Sequence, residues 1–274
     1  MSEPILLTGA GGKVAAMIRP YLLAHFGAVK LTDLRPPEAL APGEEFHQAD
    51  LTDLDQAHAV AKGVRGIVHL AGLPGENTWD AVLDASMKTT INALEAARLL
   101  GIERFVFASS NHVIGFYPRS ERLDGNERML PDSRYAVAKV FGEAALSLYA
   151  DKYGMRTLSI RIGTAIDRPR NVRELSTFHH PEDIAQLIAI GIEHPDVRND
   201  VVWGISDNAD AWWDNGRAEA LGYKPRYRAA DFADSLPAGT ASGDLADLLQ
   251  GGGLTSLEFD GDPNLWGANA LKRD

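Results

Sequence analysis

The chain has 274 residues, 45% apolar and 24% charged, which is the balance of an ordinary globular protein long enough to bury a full core. Its net charge of −11 argues against a nucleic-acid surface and demands a local cation if the substrate is an anion. With no cysteine, disulfides, thiolate catalysis and sulfur-ligated metals are excluded. No apolar run reaches the ~18 residues of a membrane span, and Met1-Ser2-Glu3-Pro4 leads straight into a strand without a basic and then apolar leader, so a cytoplasmic protein with no membrane partner is expected.

Pro4-Ile5-Leu6-Leu7-Thr8 is a short apolar run that stops at Gly9-Ala10-Gly11-Gly12-Lys13-Val14-Ala15 and turns helical through Met17, Ile18, Tyr21 and Leu22. Strand, glycine turn and helix is a phosphate-binding layout, because glycines let the backbone approach a pyrophosphate and the helix N-terminus offers unpaired N–H groups. Such loops also serve as plain tight turns. A second strand over 28–32 ends at Asp33, where a carboxylate can accept from ribose hydroxyls and repel a 2'-phosphate. The same aspartate also reads as a helix cap, and the nearby Arg35 guanidinium can accept that phosphate, so NAD and NADP both stay open on these residues.

Residues 46–51 are expected as a third strand ending in Asp50-Leu51, with Asp50 towards the adenine edge and a helix over 53–62 after it. A fourth strand over 66–70 runs into Ala71-Gly72, small residues where the backbone must pass close to a cofactor. Val82, Met87, Ile91, Leu94 and Ala97 repeat at helical spacing through a long helix over 79–100, and Gly101 ends it.

A fifth strand over 104–108 delivers Ser109-Ser110-Asn111, and the following helix opens on Tyr135-Ala136-Val137-Ala138-Lys139 and runs to residue 153. Tyr-x-x-x-Lys puts phenol and ammonium on one helix face, so the cation can favour the phenolate. Free tyrosine ionises near pH ~10, so a base working near neutrality needs that help. With the Ser110 hydroxyl holding the substrate oxygen, the three groups suggest proton abstraction from an alcohol. A sixth strand over 155–162 closes the expected α/β fold, a Rossmann-type doubly wound parallel sheet.

Beyond Gly163 the alternation fades, which suggests a cofactor core over 1–165, a small substrate-binding portion over 166–236, and a glycine-rich tail over 237–274 that reads as loosely ordered or as an arm reaching a partner subunit. Residues 171–177 look like a loop with one reachable cation, Arg173; 181–193 a helix with Pro181 in its first turn; and Val201-Val202-Trp203-Gly204 a late strand. Trp212-Trp213 favours packing over ligand contact. No metal is expected, since His179-His180 has no carboxylate at ligand spacing and reads as a pair of loop histidines.

The glycine loop, Asp33, Ala71-Gly72, Ser110 and Tyr135/Lys139 together resemble an extended short-chain dehydrogenase/reductase of the NAD-dependent epimerase/dehydratase superfamily, over residues 1–235. Within it, the run from Ser109-Ser110-Asn111-His112 to Tyr117-Pro118, and Val202-Trp203-Gly204 with Trp212-Trp213-Asp214-Asn215, resemble the uronate dehydrogenases. The resemblance implies NAD-dependent oxidation of the C1 hydroxyl of a hexuronate, glucuronate or galacturonate, to an aldarolactone by a homo-oligomer. A nucleotide-sugar epimerase or dehydratase, or another sugar 1-dehydrogenase, shares the same base and is the alternative.

By position, the resemblance makes Tyr135 the base, Lys139 its tuner and a ribose ligand, Ser110, Asn111 and His112 the holders of substrate hydroxyls, and Arg173 the carboxylate grip. NAD contacts are implied for Gly9, Gly11, Gly12, Lys13 and Val14, for Asp33 and Leu34, for Asp50 and Leu51, for Leu70, Ala71 and Gly72, for Ile162, and for Tyr135 and Lys139. Two positions depart from the pattern. Leu73-Pro74-Gly75 offers no hydroxyl where the family presents one to the substrate, and Ser86 stands where the superfamily often has asparagine.

Overall fold

The computed structural model describes residues 3–237 and 244–262. The first strand, β1 (Ile5–Thr8), is followed by α1 (Lys13–Phe26), β2 (Val29–Asp33), β3 (Glu44–Gln48), α2 (Leu54–Ala61) and β4 (Gly66–His69). Then come α3 (Trp79–Val82), a π-helical turn (Leu83–Lys88) and α4 (Thr89–Leu100), in direct succession, so the expected helix over 79–100 is present with one widened turn inside it. β5 (Arg104–Ser110), α5 (Arg134–Tyr153) and β6 (Arg156–Ile162) complete the expected alternation. After them lie β7 (Thr164–Ala165), α6 (Val172–Thr177), β8 (Phe178–His179), α7 (Pro181–Glu193), β9 (Asn199–Gly204), α8 (Gly216–Ala220) and α9 (Leu245–Leu248).

Seven strands form one sheet in the order β3-β2-β1-β4-β5-β6-β9, and every pairing is parallel. Parallel strands are covered on both faces, so their side chains are apolar in both directions. Ile5, Leu7 and Val106 accordingly join one core with α1 and α7, while Leu6, Phe105 and Phe107 join a second with α2, α4 and α5. A third, smaller cluster, Val113, Ile114, Leu123, Trp203, Ile205 and Trp213, gathers at the ends of β5 and β9. Among the described residues no helix is long and apolar enough to cross a membrane.

The structure corrects four expectations. The sixth strand does not close the sheet: β9 pairs with β6 from Thr157↔Asn199 to Ile162↔Gly204, so the sheet takes a strand from beyond residue 165. The third strand ends at Gln48, because Asp50 turns the chain by accepting from Thr52 N at 2.9 Å and Asp53 then caps α2. The segment expected as a loop around Arg173 is helical, started by the Asn171 side chain, which accepts from Glu174 N at 3.1 Å. Of the tail expected over 237–274, residues 238–243 and 263–274 lie outside the described residues; between them, Leu245, Leu249, Gln250 and Thr255 are buried against this same chain.

Candidate active site

The parallel sheet brings the ends of β1, β2, β4, β5 and β6 to one edge, where ligands of such folds sit. Gly9 adopts φ +69°, and an added Cβ would lie 2.7 Å from Ala71 N, so only glycine lets the β1 turn pass the β4 end. Gly12 opens α1 with no side-chain cap, Lys13 and Val14 form its first turn, and no acidic residue occupies that turn. The helix therefore presents free N–H groups and its positive end to an anion.

Asp33 ends β2, accepting from Gly11 N at 3.0 Å and Leu34 N at 2.7 Å, so the carboxylate stands beside the glycine turn. Leu34 and Arg35 are exposed. Leu51 is buried, with its carbonyl accepting from Asn92 Nδ2 at 2.8 Å, and Asp50 precedes it in the same turn. Leu70 and Ala71 follow β4, Ala71 N donating to Thr8 Oγ1 at 3.2 Å, and Gly72 has φ +146°. Ile162, the last residue of β6, is level with Ser110. This set fits a dinucleotide: an uncapped helix N-terminus, a turn that a Cβ would fill, and a carboxylate at the next strand end.

Ser110, the last residue of β5, meets Tyr135, which opens α5 behind a Ser133 cap. Gly142 lets the helix lie directly on β5, since an added Cβ would sit 2.3 Å from Phe107 Cζ. The buried Lys139 places Nζ 5.0 Å from the centre of the Phe107 ring and 5.5 Å from that of Tyr135. Burial lowers the ammonium to about 8. Burial also raises the Tyr135 phenol, opposed by its hydrogen bond with Ser110 and reinforced by the Asp132 charge. Lysine proximity alone therefore does not make the phenol acidic here, contrary to the expectation from spacing.

Asn111 is buried at the start of the turn after β5, and His112 follows, half-buried, with its ring edge-on to Tyr135 at 6.0 Å. His112 Nδ1 lies 2.6 Å from Asp132 Oδ2, in a carboxylate that is fully buried. That oxygen sits where side chains at Gly115 and Gly251 would both intrude, at 1.9 Å each.

Arg173 on α6 is half-buried, and Glu174 beside it is taken by Arg170 at 2.5 Å. Among the described residues Arg173 has no carboxylate within ion-pair distance, and its Nε is buried without a hydrogen-bond partner. Its Nη2 donates to the Gln250 carbonyl at 2.6 Å and its guanidinium lies 5.6 Å from the Trp212 ring centre. Burial and the nearby Arg119 charge lower it to about 10. A desolvated, unpaired guanidinium is costly unless a ligand anion completes it.

One of the two sequence departures has a structural answer. Ser86, in the π-turn, accepts from Leu73 N at 3.1 Å and supports the loop after β4. That loop is also tied down by Glu76, which accepts from Arg134 N at 2.9 Å, just ahead of Tyr135. Trp213 packs as expected, stacked 4.8 Å from Trp203, whereas Trp212 lies under both Arg119 and Arg173.

The histidine pair is not in a loop. His179 is buried in β8, held neutral by burial with its value lowered to about 3, and His180 caps α7 through Nδ1, which accepts from Glu182 N at 3.2 Å. Among the described residues no group of three or more His, Cys, Asp or Glu is placed to hold a metal.

Sequence reasoning missed Asp132, Gln250 and Trp212 as parts of this site. The polar run Pro131-Asp132-Ser133 ahead of a helix signals a cap, and Gln250 leading Gly251-Gly252-Gly253 signals a turn, but neither pattern points at a ligand.

Residues 5–173 match the NAD dependent epimerase/dehydratase family. A uronate dehydrogenase of Pseudomonas putida is 39% identical over 254 residues, covering 90% of this chain and 94% of that protein. The crystal structure of a glucuronic acid dehydrogenase from Chromohalobacter salexigens superposes with a TM-score of 0.90 at 36% identity, covering 96% of this chain and 99% of that one. A mutant uronate dehydrogenase from Agrobacterium tumefaciens, complexed with NAD, superposes at 0.88 with 37% identity, covering 92% and 97%.

Proposed function

The chain belongs to the NAD dependent epimerase/dehydratase family, and on that premise we propose that it is an oxidoreductase that oxidises the C1 hydroxyl of a cyclic hexuronate, glucuronate or galacturonate, to the aldarolactone with NAD. The observation that carries this reading is Arg173, a desolvated guanidinium without a carboxylate partner among the described residues, in a chain of net charge −11. Relatives that act on uronates by name support it. Its fork can take a carboxylate in two parallel hydrogen bonds, which fix orientation as well as affinity.

With the C6 carboxylate held by Arg173, the far side of the pyranose presents C1 to Ser110 and Tyr135. Ser110 donates to the C1 oxygen, and Asn111 and His112 hold neighbouring hydroxyls. The Asp132 carboxylate fixes the His112 ring by accepting from Nδ1–H, which leaves Nε2 for the sugar. Tyr135, as phenolate, takes the C1 hydroxyl proton while the C–O bond becomes a carbonyl. Bound NAD supplies the hydride acceptor, and its oxidised ring brings a positive charge to the same pocket. Lys139 lies beside the Tyr135 ring and reaches the ribose, and below about 8 its ammonium adds a positive charge to that pocket.

Gly9, Gly11, Gly12, Lys13 and Val14 cradle the pyrophosphate, and Asp33 takes the adenosine ribose. Leu34, Asp50, Leu51, Leu70, Ala71, Gly72 and Ile162 line the rest of the dinucleotide path. The reading carries with it a cytoplasmic location and a homo-oligomer, the latter open to light scattering. A panel of glucuronate, galacturonate, glucose and UDP-sugars, each with NAD and NADP and followed by nicotinamide absorbance, tests the activity. Turnover of the uronates with NAD is the expected result; turnover of UDP-sugars, or of glucose as fast as glucuronate, overturns it.

A further inference from the structure

The Arg173 guanidinium is held by a segment far from it in sequence. Its Nη2 donates to the main-chain carbonyl of Gln250 at 2.6 Å, across 77 residues. That carbonyl is itself immobilised. The Gln250 side chain is fully buried; its Oε1 accepts from Trp213 Nε1 at 2.7 Å, and its Nε2 donates to the carbonyls of Pro118 at 3.0 Å and Glu121 at 2.9 Å. Both amide donors and one acceptor direction are therefore used within the protein. The Gln250 N–H donates to Tyr117 O at 2.8 Å, and the next N–H, of Gly251, to Gly115 O at 2.9 Å. Residues 249–252 thus lie as a strap along the loop that leaves Ser110 and His112.

The Nε atom of the same guanidinium is enclosed by the strap as well. At Gly252 an added Cβ would lie 2.8 Å from Arg173 Nε, and that Nε is the buried donor without a partner among the described residues. Nε and Nη2 share one edge of the guanidinium, so the strap covers that edge, with the Gln250 carbonyl on Nη2 and Gly252, which has no side chain, against Nε. Gly251, one residue earlier, leaves the room that the Asp132 carboxylate occupies beside His112. Adjacent residues of one strap therefore touch both the cation and the His112–Asp132 pair, and consecutive Cα atoms are only ~3.8 Å apart.

We propose that Gln250 is a positioning residue for substrate recognition: through its clasped side chain it fixes the carbonyl that orients Arg173, so that the Nη1 end, away from the strap, meets the substrate carboxylate. The inference rests on the reading of Arg173 as the carboxylate grip. It makes the segment around 249–252, which supplies no side chain to the substrate, a determinant of selectivity for acidic over neutral sugars.

The test uses the full chain, with Gln250→Ala to release the clasp and Trp213→Phe to remove the indole donor while keeping an aromatic ring in the cluster. In Gln250→Ala, kcat/KM for glucuronate is expected to fall about tenfold or more, mostly through KM, while the value for glucose moves less than about twofold. Trp213→Phe gives a smaller loss with the same selectivity. A readout without substrate accompanies these: nitrogen NMR of the Arg173 guanidinium, assigned by its loss in Arg173→Lys, shows hindered rotation in the wild type and freer rotation in Gln250→Ala. Unchanged guanidinium dynamics in a folded Gln250→Ala overturns the proposal, as do equal losses on glucuronate and glucose. Freed dynamics in an enzyme whose wild type ignores uronates supports the positioning and refutes the uronate reading instead.

Discussion

The cofactor end and the carboxylate end of this molecule are built in different ways. At the proposed cofactor end the groups brought together are main-chain atoms and short side chains at the ends of adjacent strands, and the registers Thr8↔Thr32 and Thr8↔His69 align them. Moving one of them means moving the sheet. At the carboxylate end a single guanidinium is set by one carbonyl, one indole face and one missing side chain, contributed by separate stretches of chain. The first arrangement inherits its geometry from the fold, while the second depends on individual contacts. Substitutions at the cofactor end should therefore change preference gradually, and those at the carboxylate end should change selectivity sharply.

The sharpest break falls where the two ends meet. Tyr135→Phe removes the proton acceptor and should lower kcat by roughly 10²-fold or more, with NAD affinity by calorimetry nearly unchanged because the sheet edge holds the cofactor. In the wild type kcat should rise with pH as the buried phenol ionises, since burial raises it and the protonated form is inactive. A variant with near-native turnover places the base elsewhere.

Asp33→Ala should act more gently. Loss of the carboxylate that faces a 2'-phosphate should narrow the NAD over NADP ratio of kcat/KM by roughly tenfold, leaving the ratio of glucuronate to glucose unchanged. A shift in sugar selectivity instead would show that the two ends are not separable.

The least effect on turnover lies under the cofactor end, where the consequence is for stability. His69 is buried between Thr8 and Thr90, and burial, then the Lys139 charge, lower it to about 3. Unfolded histidine titrates near ~6.5, so between these values the unfolded chain binds the extra proton. The contribution is complete above the unfolded value and is lost as pH falls towards the folded one, by at most about 1.4 kcal/mol per pH unit. Urea midpoints against pH should fall less steeply for His69→Gln than for the wild type; parallel curves would mean the ring is charged in the folded state.

The same contrast decides what could be read from the sequence. The glycine turn, Asp33, Ala71-Gly72 and the Tyr135/Lys139 pair are local patterns; the structure sets the first three at neighbouring strand ends and the pair on α5 against β5. The bounds of α7 follow from Pro181 and its acidic first turn. Where strand and turn compete the reading slipped: Leu51 is apolar and buried like a strand residue, but its carbonyl goes to Asn92 and Asp50 has already turned the chain. Arg173 was visible as a cation, but its helix depended on the Asn171 cap and its orientation on Gln250, whose partners lie far away in sequence. The phenol also differs from the expectation, because the spacing to Lys139 shows the cation and hides the burial that opposes it.

The central claim is that Arg173 completes its ion pair with the substrate carboxylate, and kinetics of Arg173→Ala on glucuronate and on glucose, both with saturating NAD, test it most directly. The account predicts a loss of roughly 10²-fold or more in kcat/KM for glucuronate and little change for glucose, with incomplete rescue by Arg173→Lys because a point charge replaces a planar fork. Equal losses on the two sugars, or an unchanged glucuronate rate, would contradict it.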